Sequence, residues 1–498
     1  MDRATEEILE IFASINSIPR CSGHEGKIAN WLKEWAVSNG LSVKFDTVNN
    51  ILITVPGSPG CKKLPAIVLQ GHMDMVCEKV PDSDHDFSKD PIAHVIDGDW
   101  LKADGTSLGA DNGIALAIAL RLATDKDLRH PPLELLFTVD EETGLTGANE
   151  LTGDFISGKI LLNLDSEDEG IFIIGCAGGL NTNILLPLEY EPIPEDQIVC
   201  RLLVDGLTGG HSGVDIHEKR GNANKILAKT LLALLNEYDI KLLDIKGGSA
   251  HNAIPRHAEA LVALSFDSYD DTLSLVRKME GAEAAEYSEC DPMLSITLSL
   301  DDSSGSDQSL NGDMSKRAID LLMELPHGVI GMSSDVSGLV ETSSNLATVG
   351  IEDGKLMIVM SQRSSVSSEL EMISAKIKSM ADAAGATVTH EGGYSAWQPD
   401  TTSELLERCK RVYTDMFSKE ADIEVIHAGL ECAVIGSKFP EMDMISFGPT
   451  IKNPHSPDER LYIPSILDVW NFLVGLLASY SDKKNNSARK SAKKTGKR

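Results

Sequence analysis

Apolar residues along the chain follow two kinds of pattern, which predict strands that alternate with helices. Three short continuous apolar runs, "AIVLQG", "LELLFTV" and "KILLNL", are typical of strands buried on both faces. A longer apolar run, "NGIALAIALRLA", begins just after Asp111 and predicts a buried helix. This alternation predicts an α/β domain with a mostly parallel sheet covered by helices.

The N-terminal region shows further helix and turn signals. Residues 4–15 are predicted to form one helix. A second is expected to start after Ser22, where Ser22 and Glu25 match a capping box, and to run to about residue 38. The stretch "HVIDGDWLKA" predicts a hairpin with Asp97 and Gly98 at its turn.

The pattern changes near residue 183 and predicts an inserted α+β domain of two successive β-α-β-β-α units. The first unit is predicted at 199–204, 222–235, 240–246, 257–266 and 271–284, and the second at 294–300, 316–325, 345–350, 355–362 and 368–384. We therefore expect a catalytic domain in two segments interrupted by a lid. The predicted boundaries are 1–182 and 392–480 for the catalytic domain, 183–391 for the lid, and 481–498 for a disordered basic tail.

Composition narrows the classes of function. The chain has 498 residues, 42% of them hydrophobic and 24% charged, which is ordinary for a globular protein. No run of 18 apolar residues and no signal peptide are apparent, so we expect a cytosolic protein without a membrane span. The net charge of −31 argues against nucleic acid as a partner.

The C-terminal tail has the opposite charge. From Asp482 it carries eight Lys or Arg and one Asp, a net +7, which leaves −31 − 7 = −38 on the rest of the chain. A solvated, disordered segment is the favoured interpretation, and a tether to an anionic surface is the alternative.

The eight cysteines are scattered and include no CxxC pair, so we expect free thiols rather than disulfides.

Each of the three apolar strands runs directly into side chains that bind metals. The carboxyl ends of parallel strands meet at one edge of a sheet, so these side chains are expected to converge. Taken singly, each has an ordinary explanation, such as helix capping or a structural hydrogen bond. Together, the carboxylates would repel one another without a cation, and imidazole with carboxylate suits zinc, manganese or cobalt. The residues are His72, Asp74, Asp111, Glu141, Glu142, Asp165 and, on a later polar loop, His455.

The spacing of these residues predicts different roles for neighbours. In the sequence His72-x-Asp74, the carboxylate can orient the imidazole and fix its tautomer, as partners of metal-bound histidines usually do. Glu141 and Glu142 would point in opposite directions from an extended backbone, so one can bind metal while the other acts as a base.

Seven motifs together resemble a known family. They are "GHMDMV", "SLGADNGIA", "DEETGLTGA", "NLDSEDEG", "GGHSG", "NAIPR" and "NPHSPDER". The chain is similar to the dinuclear-zinc metallopeptidases related to carboxypeptidase G and aminoacylase, and most similar among them to the bacterial-type aminoacyl-histidine dipeptidases, also called Xaa-His or cytosolic non-specific dipeptidases. The motifs run in family order from His72 to Arg460.

The resemblance implies a role for each matching residue. It implies two divalent ions, zinc or else cobalt or manganese, with His72 and Asp165 on one, Glu142 and His455 on the other, and Asp111 on both. The residue pair Asp111-Asn112 would form a cis peptide. Asp74 would orient His72, Glu141 would be the general base and acid, and His211 would polarise the scissile carbonyl. Asn252 and Arg363 would contact the carbonyl and terminal carboxylate of a dipeptide substrate.

Three functions remain open from the sequence. The first is hydrolysis of Xaa-His and other dipeptides by a homodimeric enzyme. The second is an N-acyl-amino-acid amidohydrolase or tripeptidase of the same family. The third is an inactive binding protein on the same fold. A serine hydrolase is disfavoured, because Ser107 in "GTSLG" lies well before the helix that would carry a nucleophile elbow.

Overall fold

The computed structural model describes residues 2–301, 307–334, 338–427 and 429–481. The chain forms two compact units. Unit 1 comprises Met1–Gly175, Pro399–Val425 and Leu430–Arg498, and unit 2 comprises Cys176–Gln398 and Ile426–Gly429. The first boundary lies at residue 175 where the sequence predicts 182, and the basic tail from residue 482 lies outside the described residues.

Unit 1 contains strands at both ends of the chain. They are β1 (Ser42–Phe45), β2 (Ile51–Val55), β3 (Ile67–His72), β4 (His94–Asp97), β5 (Trp100–Ala103), β6 (Leu133–Thr138), β7 (Ile160–Asn163), β8 (Ile171–Cys176), β22 (Asp422–Ile426), β23 (Asp443–Ser446), β24 (Ile451–Lys452) and β25 (Arg460–Tyr462). Its helices are α1 (Arg3–Asn16), α2 (Gly26–Ser38), α3 (Ala110–Thr124), α4 (Glu141–Gly144), α5 (Thr146–Glu150), α10 (Glu404–Phe417), α11 (Glu431–Lys438) and α12 (Ile463–Ser481).

The main sheet of unit 1 has the strand order β1-β2-β6-β3-β7-β23-β8-β22. The four central strands β6, β3, β7 and β23 are parallel, whereas β1, β2 and β8 pair antiparallel with their neighbours. The predicted parallel sheet is thus confirmed at its centre, where strands buried on both faces need continuous apolar sequence. Strands β4 and β5 form the predicted hairpin, and β24 and β25 extend it to four strands.

Helix α3 packs closely on β3 because Gly71 has no side chain. A Cβ added at Gly71 would lie 2.3 Å from Asn112 Oδ1 and 3.1 Å from Ala115 Cβ. The peptide bond between Asp111 and Asn112 is cis, as the family resemblance implies. The close approach brings the start of α3 beside the end of β3.

The second helix starts later than predicted. Helix α2 begins at Gly26, and no side chain caps its N-terminus. The hydroxyl of Ser22 instead donates to Asp74, and the Glu25 carboxylate accepts the N–H groups of Gly23 and Asp140. The capping box is therefore wrong, because tertiary partners compete for both of its side chains.

The prediction that all eight cysteines are free thiols is wrong for two of them. Cys21 and Cys77 form a disulfide with their Cα atoms 5.7 Å apart. The segment after α1 runs beside the segment after β3, where Cys21 forms a parallel bridge to Met75. The pairing depends on this long-range contact, which spacing alone could not reveal. The six cysteines outside this disulfide are Cys61, Cys176, Cys200, Cys290, Cys409 and Cys432.

Helix α12 is long and apolar enough to cross a membrane by the criteria of length and composition. Half of its apolar window is buried inside the protein, and its buried side chains include Ile466, Phe472 and Leu473. A core helix passes the same test, so this feature is weak evidence for a membrane span.

Unit 2 interrupts unit 1 twice in sequence, with a long segment, Cys176–Gln398, and a short one, Ile426–Gly429. Its strands are β9 (Gly178–Pro187), β10 (Tyr190–Pro192), β11 (Gln197–Asp205), β12 (Gly210–His211), β13 (Lys241–Gly247), β14 (Ala253–Ile254), β15 (Ala258–Ser265), β16 (Ser295–Leu300), β17 (Gln308–Leu310), β18 (Gly328–Met332), β19 (Val340–Glu352), β20 (Lys355–Ser364) and β21 (Thr387–Tyr394). Its helices are α6 (Ala223–Glu237), α7 (Tyr269–Glu286), α8 (Gly312–Glu324) and α9 (Ser367–Ala383).

One continuous sheet joins the two halves of unit 2. Its order is β16-β11-β15-β13-β19-β20-β9-β21, with β18 paired to β19. The two β-α-β-β-α units are present, but β16, predicted to open the second unit, pairs with β11 of the first. Strand β9, which precedes both units, pairs with β20 of the second. Strand exchange of this kind depends on long-range pairing and leaves no local signal in the sequence.

Candidate metal centre

His72 stands at the carboxyl end of β3 with its side chain buried. Its Nδ1 atom lies 3.3 Å from Asp74 Oδ1. Its Nε2 atom lies 3.1 Å from Asp111 Oδ1 and 3.4 Å from Asp165 Oδ1. One ring nitrogen therefore faces an orienting carboxylate, while the other faces two carboxylates that can share a cation.

His455 completes a second group beside the first. Its Nε2 atom lies 3.1 Å from Asp111 Oδ2 and 2.9 Å from Glu142 Oε2. Asp111 thus presents one carboxylate oxygen to each histidine. A carboxylate in this position can bridge two metal ions.

Three overlapping groups in the described residues could hold a metal ion. They are His72, Glu141 and Glu142; His72, Asp111 and Asp165; and Asp111, Glu142 and His455. Two of the buried carboxylate oxygens, Glu142 Oε1 and Asp165 Oδ1, have no hydrogen-bond partner. Leaving such atoms unpaired is costly, whereas oxygen and imidazole ligands together suit a divalent transition ion. The side chains therefore fit metal ions.

Mutual attraction and burial shift the pKa values of the centre. Hydrogen bonds that His455 donates to the carboxylates of Asp111 and Glu142 raise its pKa to about 11. Burial raises the pKa of Asp165 to about 6 and that of Glu141 well above its usual range, and nearby carboxylates add to both effects. Burial opposes protonation of His72, but Asp165 and Asp111 outweigh it and raise the pKa of His72.

Asp74 connects the histidine to the two glutamates. Its carboxylate accepts the backbone N–H of Glu141 at 3.1 Å and that of Glu142 at 3.2 Å, and it also accepts the Ser22 hydroxyl at 2.8 Å. The same carboxylate lies on the Nδ1 side of His72, away from Asp111 and Asp165. Asp74 is thus placed to orient ligands rather than to join the three groups.

Glu459 is a positioning residue that the sequence analysis missed. Its buried carboxylate accepts the backbone N–H groups of four successive residues, Leu108 to Asp111, at 2.7 to 3.3 Å. Four donors on one carboxylate hold the loop that carries Asp111. The only signal in the sequence is its place four residues after His455 in "NPHSPDER".

Arg20 is a second positioning residue that no sequence motif indicates. Its guanidinium is buried and donates to the carbonyl oxygens of Met73, Asp74 and Gly109. It ties the chain beyond β3 to the loop before α3. Burial lowers its pKa to about 10, so the cation remains charged beneath the acidic centre at neutral pH.

His211 lies on the short strand β12 of unit 2. Its Nδ1 atom accepts the backbone N–H groups of Gly213 at 3.2 Å and Val214 at 3.1 Å. Burial and the charge of Arg363 lower its pKa. The neutral ring therefore carries its proton on Nε2 and presents a fixed donor.

Arg363 on β20 comes close to His211. A Cβ added at Gly213, between them, would lie 3.1 Å from His211 Cε1 and 3.2 Å from Arg363 Nε. The guanidinium is mostly buried, and its Nη1 donates to the Tyr394 hydroxyl at 2.6 Å. Asn252 precedes β14, which pairs with β12, and its backbone carbonyl accepts the N–H of Ser212.

His427 lies near His211 and Arg363 in unit 2, although its sequence context does not predict this position. The added Cβ at Gly213 would lie 2.4 Å from its carbonyl oxygen, and its Nε2 lies 2.7 Å from Ser343 Oγ. Burial and the neighbouring Arg363 lower its pKa to about 3, so the ring is neutral.

Residues 68–479 match the family model of peptidase family M20/M25/M40. The chain belongs to this family. The match covers β3 through most of α12, and with them all the sequence-predicted site residues of both units.

Individual relatives of this M20 peptidase are dipeptidases. The chain is 41% identical over 473 residues to the cytosol non-specific dipeptidase of Escherichia coli strain K12, covering 95% of this chain and 97% of that one. It also resembles the crystal structure of aminoacylhistidine dipeptidase from Vibrio alginolyticus, with 39% identity, a TM-score of 0.89, and coverage of 95% and 96%.

A more distant structure shares the fold alone. Aminopeptidase PepT from Bacillus cereus ATCC 10987 matches with a TM-score of 0.57 and 16% identity, over 96% of this chain and 99% of that one.

The site residues that the sequence predicts for this M20 peptidase fall into two groups. Unit 1 gathers His72, Asp74, Asp111, Glu141, Glu142, Asp165 and His455, and unit 2 gathers His211, Asn252 and Arg363.

Proposed function

We propose that this M20 peptidase hydrolyses dipeptides, both Xaa-His and others, with two divalent ions and with Glu141 as general base. One observation carries the proposal: the two oxygens of Asp111 face two different histidines, as a carboxylate shared between two ions would. Its 41% identity to a dipeptidase over nearly its whole length supports the choice of substrate.

The proposed ligand sets follow the three groups of side chains. His72 and Asp165 hold one ion, Glu142 and His455 hold the other, and Asp111 contributes to both. Zinc is the proposed ion, and cobalt and manganese accept the same nitrogen and oxygen donors. The unpartnered oxygens of Glu142 and Asp165 support this assignment.

Metal ions bound here would supply Lewis-acid activation of a water molecule and of the scissile carbonyl. Glu141 takes the proton of the attacking water and delivers it to the leaving amine. Burial raises the pKa of Glu141, which makes its carboxylate a stronger base than an exposed glutamate. Asp74 keeps Glu141 in place through the backbone N–H and orients His72 at the same time.

Unit 2 is proposed to contribute substrate contacts. His211 would donate its Nε2 proton to the carbonyl oxygen, where a preorganised donor is worth about 3–4 kcal/mol in the transition state. Arg363 would bind the terminal carboxylate through its planar fork of N–H donors, and Asn252 would contact the substrate carbonyl.

The cellular setting is proposed from the relatives and from the resemblance. We propose a cytosolic homodimer without nucleic acid or membrane partners. The printed name of the Escherichia coli relative, a cytosol dipeptidase, supports the compartment.

Hydrolysis of a substrate panel tests the proposal. Protein stripped of metal by a chelator is reloaded with zinc, cobalt or manganese and given Xaa-His dipeptides, other dipeptides, tripeptides and N-acetyl amino acids. We expect activity only after reloading, and the highest kcat/KM on dipeptides.

Other outcomes of the panel would contradict the proposal. Equal or better cleavage of N-acetyl amino acids or tripeptides would favour the amidohydrolase or tripeptidase alternative. Full metal binding without hydrolysis of any peptide would favour an inactive binding protein.

A further inference from the structure

Three residues of unit 2 form a single row across three neighbouring strands. Arg363 on β20 pairs with Gly179 on β9, and Gly179 pairs in turn with Tyr394 on β21. The outer two residues carry long side chains, whereas the middle one has none. A long side chain can therefore cross the middle strand over the glycine.

A β-bulge places Tyr394 in this row. Glu391 pairs with Asn181, but Tyr394 pairs with Gly179, so three steps along β21 correspond to two along β9. Successive side chains of a strand alternate between faces, so one extra residue moves all later side chains to the opposite face. Without the bulge, Gly393 would stand opposite Gly179.

The Tyr394 ring occupies the space that a side chain at Gly179 would need. A Cβ added at Gly179 would lie 2.5 Å from Cε1 and Cζ of the ring and 2.6 Å from its hydroxyl. A Cβ added at Gly429 would lie 3.0 Å from Cε2 of the same ring. Two glycines thus leave room for the ring, and its hydroxyl reaches Arg363 Nη1 at 2.6 Å.

The hydrogen bond leaves a defined part of Arg363 for a ligand. Arg363 is 8% exposed, and its buried Nε has no hydrogen-bond partner. This atom lies toward Gly213 and His211, since the added Cβ at Gly213 would be 3.2 Å from it. A buried guanidinium N–H without an acceptor is costly, and a carboxylate is the ligand that best matches its geometry.

We propose that Tyr394 is a positioning residue that holds Arg363 for the free terminal carboxylate of the substrate. Gly179 and the bulge before Tyr394 are the backbone features that permit it. The inference rests on the proposed function, in which Arg363 binds that carboxylate. It assigns the preference for a free carboxyl terminus to the pair Arg363 and Tyr394 rather than to Arg363 alone.

The variant Tyr394→Phe tests this role with two substrates, an Xaa-His dipeptide and its C-terminal amide. We expect KM for the dipeptide to rise about tenfold, as for the loss of one hydrogen bond to a charged group. The kcat value and the KM of the amide should stay within about twofold, since neither depends on the carboxylate. If the amide is not cleaved, its inhibition constant against the dipeptide provides the same comparison.

Two further variants separate a positioning role from a structural one. Gly179→Ala keeps the tyrosine but puts a Cβ where its ring lies, and it should lose the same selectivity. Tyr190→Phe, at an exposed position in unit 2, should change nothing. An equal loss on dipeptide and amide in Tyr394→Phe, or no loss on either, would overturn the inference.

Arg363→Lys distinguishes failure of this inference from failure of the proposed function. If Arg363→Lys keeps the full preference for a free carboxylate, the proposed role of Arg363 is itself wrong. If Arg363→Lys loses the preference and Tyr394→Phe keeps it, Arg363 acts without Tyr394 and only this inference fails.

Discussion

The Asp74 carboxylate accepts hydrogen bonds from Ser22 and from the backbone of Glu141 and Glu142, and it lies 3.3 Å from His72 Nδ1. It therefore orients the proposed base and two proposed metal ligands at once. Such partners of metal ligands typically change metal affinity or activity by about 10–100-fold when they are lost. One carboxylate thus holds Glu141 and Glu142, which are adjacent in sequence but have different proposed roles, the first as base and the second as metal ligand.

Glu141 and Glu142 should differ sharply when each is replaced by glutamine. Glu141→Gln is expected to lower kcat by about 10²–10⁴-fold with metal content unchanged, because a general base is lost. Glu142→Gln should instead lose metal, since its carboxylate lies 2.9 Å from His455 and has an unpartnered oxygen. Metal analysis and steady-state kinetics of both proteins check this. Full turnover in Glu141→Gln would contradict the assignment.

Glu431 predicts a pH dependence of stability. Its buried carboxylate accepts Gln70 Nε2 at 2.5 Å and Thr138 Oγ1 at 2.8 Å, and burial raises its pKa to about 7. Between pH 4.5 and 7 the folded chain thus holds a proton that the unfolded chain has released, so stability falls as the pH rises through this window.

Glu431→Gln removes this titration. The free energy of unfolding of the variant minus that of the wild type should increase by up to about 3 kcal/mol from pH 4 to pH 8. Urea unfolding of the metal-free proteins at both pH values measures the difference. Glu420→Gln, at an exposed position, is the matched control and should show no such gain. A gain that does not vary with pH would refute the assigned titration.

At the scale of elements, the ends of β3 and α3 are held together by contacts from distant segments. Glu459 holds the loop before α3, and Arg20 ties that loop to the chain beyond β3. The disulfide joins Cys21, which directly follows Arg20, to Cys77 in the chain beyond β3. Strand ends position the ligands only roughly, and these cross-connections orient the backbone that carries them.

Glu459→Gln should weaken metal binding by about 10–100-fold, because an amide group would face N–H donors and the Asp111 loop would shift. Competition with a chromophoric chelator measures the affinity. Asp458→Asn changes the same charge at the neighbouring exposed position and should leave it unaltered. Equal metal affinity in wild type and Glu459→Gln would show that the loop does not need this carboxylate.

The disulfide closes a long loop, since 56 positions separate Cys21 from Cys77. The chain-entropy model gives a stabilisation of about 4 kcal/mol for a loop of this length. We expect six reactive thiols in the unfolded, non-reduced protein, and a loss of that order in Cys77→Ser. Cys290→Ser, which removes a free and partly exposed thiol, is the control. Eight reactive thiols without added reductant would show that the pair is reduced.

At the scale of the whole molecule, the sequence predicted what depends on local pattern. Apolar runs that lead to His72, Glu141 and Asp165 predict strands whose ends converge, and the structure places Glu141 and Asp165 each in a group with His72. Motif similarity also pointed to the family that the match over residues 68–479 confirms. These features follow from periodicity and from short motifs. The extended backbone predicted at Glu141 and Glu142 is wrong, because the short helix α4 begins at Glu141.

Long-range pairing could not be predicted in the same way. The exchange of β16 and β9 between the halves of unit 2 and the bulge before Tyr394 depend on which strands meet. Apart from its place in "NPHSPDER", Glu459 has no local feature that would mark it as the acceptor for a loop some 350 residues earlier. The sequence spacing of such partners contains no information about their distance in space.

The joined halves of unit 2 lead to a prediction about subunits. β13 of the first half pairs with β19 of the second, so one chain by itself brings His211 beside Arg363. We propose that each chain uses its own His211, because one chain supplies both halves of unit 2 and needs no partner to complete them. Mixing His211→Ala with Glu141→Gln protomers should therefore restore no activity.

The opposite arrangement would give a clear signal in the same experiment. If His211 served the partner of a twofold-symmetric dimer, random re-association of equal amounts would recover about one quarter of wild-type activity. Co-expression with two affinity tags isolates the mixed dimers, and sedimentation confirms their state. Activity of purified mixed dimers near half that of the wild type would show that the histidine acts across subunits.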